Sequence, residues 1–174
     1  MADELVIRMA GDADLPAILA IYNDAVLNTT AIWNDDVVDL ADRAAWLAGR
    51  QAQGYPVLVA LAKDRVLGYG TYGAFRPHQG YRLTVENSIY VAAEARGQGA
   101  GAALLGAVID HATAAGKHVM IAAITAGNAM SIRLHARQGF TEVGRLDAVG
   151  VKFGRPLDLI LMRRQLTPVI TPPA

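Results

Sequence analysis

The chain has 174 residues and sets 16 Lys and Arg against 16 Asp and Glu, so its formal net charge is zero. Hydrophobic residues make up 53% and charged residues 18%, which excludes a disordered chain and describes one globular domain with room for a core. The charge balance gives no basic footprint for nucleic acid. The lack of cysteine removes disulfides, thiol nucleophiles and cysteine metal ligands, and it fits a cytosolic protein.

Residues 1–8 lack the basic start and apolar run of a signal peptide. No apolar run approaches the ~20 residues that span a bilayer. The expectation is a soluble cytoplasmic protein with no nucleic acid or membrane partner. Its partner would be a small molecule or a second copy of itself.

In chain order, Leu5–Met9 alternates as a strand. Asp12 or Asp14 caps a helix that admits Pro16 in its first turn, with Leu15, Ile18, Leu19, Tyr22 and Val26 at helical spacing. Asp39 opens a second helix carrying Leu40, Ala44 and Leu47, which Gly54 ends. Residues 56–62 and 66–75 form a hairpin turning at Lys63 and Asp64. A strand over 83–91, a helix over 99–115 closed by Gly116 and a strand over 119–124 suggest a parallel crossover. A helix over 128–137 ends near Gly139, and strands over 140–145 and 157–163 follow. The fold class is α/β with a mixed sheet. Residues 1–166 form one domain, and 167–174, with three prolines, a flexible tail.

The sharpest local signal is Arg96-Gly97-Gln98-Gly99-Ala100-Gly101, set between a strand and a helix. Glycines let backbone approach a ligand, and a helix start presents unpaired N–H groups and a positive dipole end. Together they suit a phosphate or pyrophosphate, although a tight empty turn has the same composition. A P-loop is excluded, because Gly101 is followed by Ala102 and Ala103 rather than Lys-Ser/Thr. Gly97, Gly99 and Ala102 satisfy a dinucleotide fingerprint. That reading also needs an acidic residue about twenty positions on, and none follows until Glu142.

The loop resembles the Arg/Gln-x-x-Gly-x-Gly/Ala loop of the GNAT acetyltransferases. The element order is similar to that family over nearly the whole chain, and residues 127–135 with Gln138-Gly139-Phe140 resemble its second cofactor segment. The resemblance implies acetyl-CoA as co-substrate and a mostly antiparallel sheet flanked by helices. It also implies a splayed parallel strand pair, opening after Tyr90 and near Ile124. Backbone groups at Ile89, Tyr90 and Val91 would pair with the pantetheine arm. Arg96, Gly97, Gln98, Gly99, Ala100, Gly101 and Ala102 would hold the pyrophosphate. Asn128 would touch the arm, with Ser131 one turn on facing the cofactor or only packing.

A narrower resemblance is to the phosphinothricin and methionine sulfoximine N-acetyltransferases. It rests on Ile21-Tyr22-Asn23, Asn28-Thr29-Thr30-Ala31, Gly54-Tyr55-Pro56, Arg76-Pro77, residues 84–91, Leu134-His135, residues 152–155 and Leu157-Asp158. Pro156 departs from the branch, which has Trp there. The resemblance implies acetyl transfer to the α-amino group of a small amino-acid analogue, directly in a ternary complex, by a homodimer; the alternatives are a GNAT enzyme acting on a protein N-terminus or a polyamine, and a non-catalytic acyl-CoA-binding sensor.

Such transfer needs a base, because an α-amino group is largely protonated near neutral pH. Glu86, between Val85 and Asn87 in an apolar strand, is the candidate. Desolvation would raise its pKa; an exposed carboxylate or one paired with Arg82 is the alternative. Arg76 can clamp a carboxylate bidentately, or stand solvated in its loop. Pro77, His78, Asn87 and Ser88 complete the substrate set. His135 stands where many family members carry a Tyr proposed to protonate the thiolate; packing is the alternative. His111 and His118 lack partners at metal-ligand spacing, and no metal is expected. Trp33 and Trp46 read as core or subunit contacts, and Trp33 could line the substrate pocket.

Overall fold

Strand β2 (Val57–Ala62) is buried on both sides, and its alternation divides the molecule. Val57, Val59 and Leu61 pack into one cluster with Ile18, Ile21 and Leu47, while Leu58 and Ala60 pack into another with Leu104, Leu105 and Val108. A period of two on a doubly covered strand requires a layer on each face. The computed structural model, which describes residues 4–168, has that arrangement.

Seven strands form one sheet: β1 (Leu5–Met9), β2, β3 (Arg65–Ala74), β4 (Thr84–Val91), β5 (Val119–Thr125), β6 (Thr141–Lys152) and β7 (Arg155–Gln165). Their spatial order is β1-β2-β3-β4-β5-β7-β6, and β4 with β5 is the parallel pair. Helices α1 (Leu15–Asn28) and α2 (Leu40–Ala52) cover one face. Helices α3 (Ala100–Ala114) and α4 (Ala129–Arg137) cover the other. Leu104, Leu105 and Val108 of α3 are fully buried, each contributing about 1.5–3 kcal/mol by leaving water.

The expected hairpin turns at Lys63 and Asp64, and Asp39 and Asn128 cap α2 and α4 as their residue types suggested. Two expectations are corrected. The last two strands run to Lys152 and from Arg155, well past the expected 145 and 157. Bulges between Glu142 and Gly144 and between Leu146 and Gly150 interrupt the alternation that would have revealed them. The parallel pair does not open after Tyr90 and near Ile124: its last paired residues are Glu86 and Ile121. Of the expected tail, Thr167 accepts a hydrogen bond from Gln165 at 2.7 Å, and 169–174 lie outside the described residues. Among the described residues no helix is long and apolar enough to cross a membrane.

The long β6 has a structural consequence. Lys152 is 2% exposed, and its Nζ donates to the Val26 and Ile32 carbonyls. It fastens the end of α1 and the following loop to the sheet. Replacing Lys152 by Met leaves both carbonyls without that donor, and an orphaned buried polar group costs about 1–3 kcal/mol. Urea denaturation of Lys152→Met should show a loss of that size; an unchanged midpoint would refute the fastening role.

Candidate active site

Beyond Glu86 and Ile121, β4 remains bonded to β3 as far as Val91, and β5 remains bonded to β7 as far as Thr125. Each strand is held on its outer side, and the seam between them stays open. Ala31, Asn87, Ile89, Tyr90, residues 122–125, Asn128, Ser131 and His135 line a cavity there of about 60 Å³. No lining side chain is acidic or a Lys or Arg. Backbone groups of β4 on the side away from β3 face this seam, because strand amides alternate in direction.

Asn87 is wedged at the fork. Its Nδ2 donates to the Ile121 carbonyl at 3.2 Å, and its Oδ1 lies 3.1 Å from His135 Nε2. His135 Nδ1 lies 2.8 Å from the Ser131 carbonyl. Both ring nitrogens therefore face acceptors, which a neutral imidazole with one N–H cannot satisfy together. Burial nevertheless pushes the His135 pKa down, opposed by the Ser131 hydrogen bond.

The opposite face of β4 carries Glu86, Ser88 and Tyr90. Glu86 is half-buried, and burial raises its pKa, with the Arg76 charge pulling the other way. The cation facing Glu86 is thus Arg76 and not Arg82, which bonds the Gln79 carbonyl. Arg76 is exposed, lies over the Phe75 ring at 4.4 Å and forms no ion pair among the described residues. Pro77 and His78 stand exposed beside it. Burial raises the Tyr90 pKa, and the Ser88 hydroxyl pulls it the other way.

At the far end of β4, Gly97 and Gly99 have φ of +77° and +91°, a region side chains rarely enter, and nothing lies within 4 Å of a Cβ at either. The first N–H groups of α3 open there beside Arg96, whose Nη2 is 3.7 Å from Asp24. Gln98 turns back to bond the Glu94 carbonyl at 2.8 Å. Ala100 is buried under the loop, Gly101 lies against Val91 and Leu134, and Ala102 accepts from Gln138. Asn128 Oδ1 caps the Ser131 N–H at 3.1 Å, leaving its Nδ2 at the seam.

Some parts had no place in the sequence reading. Thr125 Oγ1 donates to the Thr30 carbonyl at 2.6 Å and accepts from Trp33 Nε1 at 2.9 Å, tying the 29–33 loop across the seam. A polar residue ending an apolar strand was the available signal. A Cβ on Gly150 would lie 2.1 Å from the Trp33 ring, so β6 also shapes that loop. On α2, Arg43 is 8% exposed and stacks on Tyr22 at 4.2 Å and Trp46 at 5.0 Å. Arg43, Leu47 and Arg50 share one stripe, which made both arginines visible as core-facing cations.

A forked parallel pair with a phosphate-ready helix start at its mouth, and a desolvated carboxylate on the other face, is the arrangement that the resemblance implied for an acyl-CoA-dependent transferase. Residues 18–140 match the acetyltransferase (GNAT) family. The chain belongs to that family and is an acetyltransferase. It is 58% identical over 168 residues to the L-methionine sulfoximine/L-methionine sulfone acetyltransferase of Pseudomonas paraeruginosa, covering 96% of this chain and 98% of that one. A putative acetyltransferase of Salmonella typhimurium, solved with its cofactor acetyl-CoA, superposes with a TM-score of 0.94 at 50% identity over 98% of each chain. A ribosomal-protein-alanine N-acetyltransferase structure from Brucella melitensis superposes at 0.91 with 55% identity, over 92% of this chain and 99% of that one.

The residues present fit acetyl-CoA. The glycine loop offers open N–H groups, and the uncharged seam suits a thioester arm. Among the described residues no group of three or more His, Asp or Glu could hold a metal.

The lowered His135 pKa has a sign. The folded state binds the proton more weakly than the unfolded one, so stability is full above the ordinary imidazole value of about 6.5 and declines as pH falls below it. Urea midpoints measured downward from pH 7 should show this decline in the wild type and a flatter profile in His135→Gln. Parallel profiles would contradict it.

Proposed function

We propose that the protein transfers the acetyl group of acetyl-CoA to the α-amino group of a small amino-acid analogue, of the methionine sulfoximine, methionine sulfone and phosphinothricin class. It does so in the cytoplasm, as a detoxifying step. The observation that carries this reading is the meeting of Glu86 and Arg76 at the position where β4 leaves β5.

Arg76 takes the acceptor's α-carboxylate in a bidentate fork. Pro77, His78 and Ser88 border the acceptor, and Asn87 reaches it only from the fork. Glu86, raised by burial, removes a proton from the ammonium, directly or through a water. Acetyl-CoA supplies the activated thioester. Arg96 and the N–H groups of residues 97–102 hold its pyrophosphate. The β4 backbone at Ile89, Tyr90 and Val91, with Asn128 and Ser131, holds the arm along the seam. The free amine attacks the thioester carbon, and the carbonyl oxygen is stabilised by a β4 N–H, a donor worth roughly 3 kcal/mol when preorganised. Collapse breaks the C–S bond, the departing thiolate takes up the proton the nitrogen sheds as it becomes an amide, and no covalent enzyme intermediate forms.

The ribosomal-protein-alanine relative raises a second reading, a protein N-terminus. The terminal residue of a protein has no free α-carboxylate, because it is consumed in the peptide bond. The exposed Arg76 fork beside Glu86 favours a free amino acid.

Thiol release from acetyl-CoA, measured with methionine sulfoximine, methionine sulfone, phosphinothricin, spermidine and a peptide, tests this. Arg76→Ala should act mainly through KM. Glu86→Gln should lower kcat by about 10²–10⁴-fold. Arg76→Ala also removes the charge that holds Glu86 down, so its acid limb of kcat/KM should move to higher pH. Release with the peptide or spermidine alone would discard the substrate class.

Two copies pair, on this reading, through edge strand β6. Its Val149 and Val151, with Phe153 in the turn that follows, are 51%, 69% and 53% exposed, an apolar stripe at an unpaired edge. Sedimentation should give a dimer for wild type and a monomer for Val151→Lys; a monomeric wild type at micromolar concentration would refute the pairing.

A further inference from the structure

Arg50 brings a positive charge to the acceptor face with no carboxylate to answer it. It is half-buried, and among the described residues it forms no ion pair. Its Nη1 donates to the Tyr72 carbonyl at 3.1 Å, and the Tyr55 ring lies 5.8 Å away. Burial pushes its pKa down. Holding a guanidinium partly out of water without a counter-charge is costly unless something completes it.

Gly73 makes the position possible, since a Cβ there would lie 2.0 Å from Arg50 Nη1. Gly73 is also the β3 residue paired with Glu86. Paired residues point to the same face, with Cα atoms roughly 4.5–5.5 Å apart. The guanidinium thus stands on the strand next to the candidate base and on the same side. It lines a groove of about 730 Å³ with Trp46, Gly49, Gln53, Tyr55 and Ala74. The groove reaches the chain just before Phe75 and Arg76. Trp46 and Tyr55 give it aromatic walls, and the guanidinium its only charge.

We propose that this groove is an anion subsite of the acceptor site. Arg50 receives an acidic group at the end of the acceptor's side chain, a phosphinate or a second carboxylate, while Arg76 holds the α-carboxylate and Glu86 faces the α-amino group. The subsite rests on the acetyl transfer proposed above and sets its preference among acceptors. An acidic side chain gains a charge-assisted bond and completes the buried cation. A neutral sulfone side chain gains neither.

The test compares L-phosphinothricin, whose side chain ends in a phosphinate, with L-methionine sulfone, whose side chain is neutral. Full-length wild type, Arg50→Gln and Arg50→Lys are assayed with both, alongside thermal melts. Gln keeps a donor for the Tyr72 carbonyl and removes the charge; Lys keeps the charge without the fork. Arg50→Gln should lose at least tenfold in kcat/KM for phosphinothricin, through KM, and stay within twofold for the sulfone. Arg50→Lys should recover part of that loss. Equal losses for both acceptors, or no loss for either, would overturn the subsite and make Arg50 a strand-edge cap. So would a wild type that acetylates the sulfone and ignores phosphinothricin. These results leave the acetyl transfer intact, whereas a wild type inactive on both acceptors overturns that reading and the subsite with it.

Discussion

The molecule is organised by a parallel strand pair that stops pairing after three residues, Thr84 to Glu86 against Val119 to Ile121. Backbone donors and acceptors inside a protein must find partners, so an abrupt end to a ladder has to be secured. Here β3 holds β4 and β7 holds β5 beyond the fork. Asn87 fills the crotch, spending its amide on the Ile121 carbonyl and its carbonyl on His135. The amide groups left facing the seam are held rigidly open on both sides. Donors fixed in place before a reaction need no reorganisation during it.

Charge placement follows from that opening. The seam is uncharged, the helix start at its mouth is positive by virtue of its free N–H groups, and the carboxylate at the fork itself is Glu86. Desolvation raises Glu86 and Arg76 restrains the rise, so one loop arginine tunes the carboxylate beside it, and on the proposed reading it also answers an acceptor's carboxylate. Arg43, stacked between Tyr22 and Trp46, builds the wall behind.

The sequence disclosed what depends on local chemistry. Gly97 and Gly99 occupy backbone conformations few other residues accept, so the loop was visible before any coordinate. Asp39 and Asn128 cap their helices because short polar side chains do so wherever they stand. The fork at Glu86 was misplaced because it depends on Asn87 meeting His135, residues 48 positions apart, and no local pattern encodes that meeting. The reach of β6 was hidden because its bulges break the period of two. In the sequence Lys152 stood only within the branch-like residues 152–155; the fold brings it to the Val26 carbonyl of α1. Arg50 belonged to a helical stripe, but its meaning depends on Gly73, a residue on another strand.

The parity of a single strand links these features. Val85, Asn87, Ile89 and Val91 turn toward α3 and α4, where the helix start and the seam lie. Glu86, Ser88 and Tyr90 turn toward α1 and α2, where the arginines and aromatic rings lie. On the proposed reading, one strand therefore presents the acyl donor's side and the acceptor's side in alternate residues. A slip of one residue would exchange the two faces, burying Glu86 under α4 and turning Asn87 toward Arg76. The β3–β4 register runs unbroken from Ala74 and Val85 to Gly68 and Val91, and that continuity blocks the exchange. The close packing of Gly68 on the Tyr90 carbonyl and of Gly70 on Ile89 belongs to the same constraint, because a side chain at either glycine would push β3 off the strand that carries the chemistry.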